Sequence, residues 1–85
     1  MKQIYIVTAE CGNEYDSYTR MIIAFEQEQN AINHVNMLEE FIQQLALLSF
    51  EERAKAISTG LDINLNVYDV PNYIQYQYEV LNIGD

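Results

Sequence analysis

The chain has 85 residues, and thirteen Asp plus Glu against four Lys plus Arg give it a net charge of −9. That sign repels phosphate backbones and anionic lipid, so it argues against direct nucleic-acid or membrane-surface binding and for a basic protein partner. One cysteine allows no internal disulfide and no zinc cluster, and no apolar run nears the roughly 20 residues of a membrane span. Residues 1–3 lead straight into a strand-like pattern instead of a secretory leader, so the expectation is one soluble, cytoplasmic domain.

Residues 4–9, rich in β-branched and aromatic side chains, predict a first strand. Gly12-Asn13 supplies the tolerance of positive φ that a reversal needs, and Cys11 falls at the start of that loop. Residues 18–25 predict a second strand, antiparallel to the first across a protruding loop. Residues 29–48 then carry the clearest signal in the chain. Ala31, Val35, Leu38, Ile42 and Leu45 recur at helical spacing, widened by His34, Phe41 and Ala46, opposite a face of Asn33, Asn36, Glu40, Gln43 and Gln44.

Ser49 and Glu52 form a capping box for a short helix over 50–58, with Phe50, Ala54 and Ile57 expected inward and Gly60 as a left-handed terminator. After Gly60 the period changes to two. Leu61, Ile63, Leu65 and Val67 alternate with Asp62, Asn64 and Asn66, predicting a half-buried third strand. A turn around Pro71 separates it from a fourth strand, in which Ile74, Tyr76, Tyr78 and Val80 share the apolar face, and residues 82–85 form a frayed tail. The pattern is ββααββ, an α+β fold with the long and the short helix on one face of an antiparallel sheet. The two hairpins either join into one four-stranded sheet, the preferred arrangement, or the last one projects to pair with another copy.

The charge is unevenly placed. Residues 26–48 carry four carboxylates and no base, and so do residues 59–85. A helix needing only solubility usually mixes Lys with Glu, since such pairs stabilise it. The functional reading is an acidic surface that meets a basic groove and speeds its capture; the alternative is that the acidity only maintains solubility.

Specific chemistry is sparse, and no catalytic residue, cofactor or metal site is expected. His34 has Met37 and Leu38 where a ligand partner would stand, so it reads as a structural histidine. Cys11 lies near Glu10 and Glu14, which oppose thiolate formation. Glu10, Glu14 and Asp16 lack calcium-loop spacing. The residues left for partner binding are Glu14, Tyr15, Asp16 and Tyr18 in the first loop, Glu39 and Glu40 on the helix, and Tyr73, because tyrosine beside carboxylate is typical interface material. Ile32, Met37 and Leu47 lie off the apolar stripe and suggest a homodimer surface instead.

The run Glu14-Tyr15-Asp16-Ser17-Tyr18, the strand end Ile22-Ile23-Ala24-Phe25 and the helix opening Gln29-Asn30-Ala31 resemble small proteins encoded by bacteriophages, over about residues 3–45. In size and acidity the chain is also similar to phage-borne inhibitors such as anti-CRISPR proteins. The resemblance implies a non-enzymatic, stoichiometric binder of a host nucleic-acid-handling or defence complex.

Overall fold

The computed structural model describes residues 2–13 and 15–84. Strands β1 (Lys2–Gly12) and β2 (Ser17–Phe25) lead into helices α1 (Glu28–Ala46) and α2 (Phe50–Ser58). An irregular connection with a 3-10 turn at Val67–Asp69 then reaches β3 (Ile74–Ile83). Among the described residues the sheet has three strands in the order β2-β1-β3, antiparallel throughout. The α+β class and the antiparallel sheet are as expected, but the order is ββααβ, not ββααββ.

The missing strand is the alternating stretch after Gly60. Its polar residues bond locally instead of in a ladder: the Leu65 amide donates to the Asp62 carbonyl at 3.2 Å, and the Asn66 side chain accepts from the Tyr68 amide at 2.9 Å. Leu65 and Val70 enter the core while Leu61 and Ile63 stay exposed, and Asp62, expected outward, is buried. The strand after it is longer than expected. Ile83 pairs with Lys2 and Asn82 with Gln3, so those two tail residues belong to the sheet.

Central strand β1 sets the core. Val7, Ala9 and Cys11 are fully buried on one face, Cys11 and Gly12 being strand residues and not loop residues. The α1 stripe closes over them: Ala31, Leu38, Ile42 and Leu45 are buried, with Val35 and Phe41 packed beside them. Each such large side chain contributes about 1.5–3 kcal/mol through removal from water. His34 sits at the stripe's edge with its ring centroid 5.6 Å from that of Phe25.

Opposite α1 the strands turn Ile4, Ile6, Met21, Leu81 and Ile83 to the other face, which no described element covers. Met21 there is 68% exposed. A thickness of 16 Å against a length of 48 Å is that of two layers. β2 carries an irregularity at Ile22, which has no partner where the register jumps from Val7–Ile23 to Thr8–Met21. The β1–β3 ladder runs without a break.

The capping box at Ser49 and Glu52 forms, and α2 has the expected bounds. Of its three expected core residues only Ile57 is buried. Phe50 lies against Tyr68 at 5.3 Å between ring centroids, and Ala54 is exposed. Gly60 does not adopt positive φ; Gly12, at +97°, is the one described residue that does. Gly60 serves close packing instead, because a Cβ there would collide with the Phe41 ring and crowd the Ala56 carbonyl at 2.8 Å.

Candidate functional site

Three of the four bases are engaged within the fold. Lys2 Nζ pairs with Glu26 at 2.8 Å, Arg20 is bound to buried Asp62, and Arg53 donates to the carbonyls of Leu45 at 2.7 Å and Ala46 at 2.9 Å. The last contact places a cation at the carbonyl end of α1, where the helix dipole favours it. Glu10, Asp16, Glu39, Glu40 and Glu79 remain exposed, with no ion-pair partner among the described residues. Available surface charge is therefore even more one-sided than composition suggests.

The expected partner-binding residues form two groups. At one end of the sheet, Gly12 donates its amide to the Tyr73 carbonyl at 2.9 Å, joining the β1–β2 loop to the start of β3. Asn13 shapes that loop by accepting from the amides of Tyr15 and Asp16, each at 2.9 Å. Tyr15, 89% exposed, and Tyr73 border one shallow hollow with Gly12 and Asn13. Glu14 lies outside the described residues. Tyr18, half-exposed, pairs with Cys11 in the ladder.

Glu39 and Glu40 diverge. Glu39 flanks a groove between α1 and β3 with Ile42, Gln43, Ile74, Gln75 and Tyr76. Ile74 and Gln75 also border a second hollow at the loop end, with Glu10, Asn13 and Tyr73, so the start of β3 lies between that hollow and the Glu39 groove. Glu40 lies on the other flank of α1, with Met37, Phe41 and Gly60. Of the proposed dimer residues, Leu47 is 88% exposed, Met37 half-exposed and Ile32 partly buried.

One polar constellation was not anticipated from the sequence. The register aligns Arg20, Ala9 and Tyr76 in a row across the three strands. The small Ala9 leaves room above it for the Asp62 carboxylate, whose side chain is 3% exposed. Arg20 donates to both carboxylate oxygens at 2.8 and 2.7 Å, and the Tyr76 hydroxyl donates at 2.8 Å. Burial pushes the Asp62 carboxyl up, but bonds from Arg20 and Tyr76, with the Arg20 charge, outweigh it and hold it below the ordinary carboxylate value. Burial and the Asp62 carboxylate push the Tyr76 hydroxyl up.

Burial also pushes the nearby Cys11 thiol up, more than Arg20 lowers it, which keeps it protonated at neutral pH. The network ties the 59–73 connection onto the sheet; its chemistry is structural. Arg20 itself was the available signal. A lone guanidinium in an apolar strand requires a carboxylate from elsewhere in the chain.

No family model matches the chain, and comparison with curated proteins and with solved structures likewise finds no match.

Proposed function

We propose that this protein is a non-enzymatic binding protein whose acidic surface occupies a basic, nucleic-acid-handling site on a partner protein, in the manner of phage-type inhibitors. The observation that supports this is the engagement of Arg20 and Arg53 within the fold and of Lys2 in a surface pair with Glu26, which leaves Lys55 as the one base without such a contact among the described residues against the exposed carboxylates. Glu39 and Asp16 replace phosphates, and the rings of Tyr15 and Tyr73 supply apolar anchors. Glu40 extends the acidic field around α1.

The test is affinity capture of partners from a host lysate, washed at about 0.1 M and then 0.5 M salt, a step that shortens the screening length about twofold. A nucleic-acid-handling protein retained at low salt, released at high salt and lost on Glu39→Lys with Asp16→Lys is the expected result. Identical capture by the reversed variant would contradict the proposal.

A second reading, a homodimeric assembly module, draws on exposed Met37 and Leu47 and on the uncovered sheet face. It predicts a concentration-dependent dimer in sedimentation. A monomer at high micromolar concentration counts against it.

A further inference from the structure

The two edges of the sheet differ. β2 is broken by its irregularity at Ile22, whereas β3 presents a regular outer edge that no described strand pairs. The ladder phase follows from one bond: Gly12 donates to Tyr73, so this is a hydrogen-bonded pair. Alternation then makes Thr8/Gln77, Ile6/Glu79 and Ile4/Leu81 hydrogen-bonded pairs too. Tyr78, Val80 and Asn82 therefore turn their N–H and C=O groups away from β1. From Glu79 to Ile83 every side chain of β3 is exposed, and no described strand pairs with this half of the edge.

The charges around the edge select its occupant. Glu79 lies on the strand, Glu39 flanks the α1–β3 groove, and Glu28 accepts a bond from the Tyr78 hydroxyl at 3.2 Å. A second copy paired here would bring two sets of these carboxylates together, and like charges across an interface are disfavoured. A cationic segment meets complementary charge.

We propose that β3 accepts an extended, basic segment of a partner protein as a fourth strand, with backbone bonds to Tyr78, Val80 and Asn82. The inference rests on the acidic-binder reading and specifies its mode. Residues of the added strand on the helix side fall beside Glu28, with Glu39 further along toward Ile74, and those on the other side fall beside Glu79, Leu81 and Ile83. The matching sequence alternates Lys or Arg with apolar residues.

The probe is a peptide of about nine residues alternating lysine and valine, with a control of the same composition in two blocks. The alternating peptide is expected to bind at least about tenfold more tightly at low salt and to slow hydrogen exchange of the Val80 and Asn82 amides. Val80→Pro is expected to abolish that difference between the peptides while leaving β1–β3 pairing intact, because the lost N–H points outward. The exchange measurement needs no variant, so a misfolded proline mutant does not decide the matter.

Equal binding of both peptides would overturn the inference. So would protection confined to other segments, although salt-sensitive binding there leaves the acidic-binder reading standing. Protection of Val80 and Asn82 in the protein alone, rising with its concentration, would assign the edge to a second copy and overturn the inference as well.

Discussion

The two ends of the sheet treat the same chemistry in opposite ways. At the end where the 59–73 connection folds over, Arg20, Asp62 and Tyr76 bond to one another in a buried cluster. At the end where β3 runs from Glu79 to Ile83, exposed residues line an edge whose outward backbone groups meet no described strand. Buried charge at the first end holds the fold together, whereas the exposed carboxylates, Asp16 at that same end and Glu79 on β3 among them, pair with no described base. Acidity in this chain has to be sorted by location before it says anything about function.

The sharpest way to break the tied end is Asp62→Ala. It leaves the Arg20 guanidinium without its counter-charge and the Tyr76 hydroxyl without its acceptor, and costs about 3–5 kcal/mol in urea unfolding. The same carboxylate sets an acid limit. Its folded value lies below the ordinary one, so its stabilisation is complete above the unfolded value of about pH 4 and is lost as pH falls through the folded value. Unfolding followed between about pH 6 and 2 shows this loss in the wild type, and Asp62→Asn flattens the dependence on that group.

Gly60→Ala forces a methyl group toward the Phe41 ring and lowers stability by about 1–3 kcal/mol, read from the thermal midpoint. Ser49→Ala removes the α2 cap and costs about 1 kcal/mol in the same measurement. At the available surface, Glu39→Lys with Glu40→Lys changes stability by no more than about 0.5 kcal/mol per site, yet weakens capture of a basic partner. That separation of stability from binding is what distinguishes the two regions.

The sequence carried some of this openly. The α1 stripe, the capping box and the alternation of Ile74, Tyr76 and Tyr78 are local patterns, and local patterns report elements directly. Residues 61–67 carry the same strand period without forming a strand. Their alternation serves a connection in which Leu65 fills the core and Asp62 reaches across it. The Arg20–Asp62 bond spans 42 positions, a separation that composition and periodicity do not encode. Of the expected binding residues, Tyr15 and Tyr73 meet because Gly12 bonds to Tyr73, a long-range contact. Adjacent Glu39 and Glu40 separate because successive helix positions point about 100° apart. The open edge of β3 was hidden by the expectation of a strand before it.

Amide hydrogen exchange of the free protein at low concentration tests the contrast between the two ends most directly. The account predicts protection of Glu79 and Leu81, whose amides face β1, and near-unprotected exchange at Val80 and Asn82, with Ala9 and Cys11 protected in the central strand. Val80 and Asn82 protected as strongly as Glu79 and Leu81 would contradict it, because the outer edge of β3 would then already be covered.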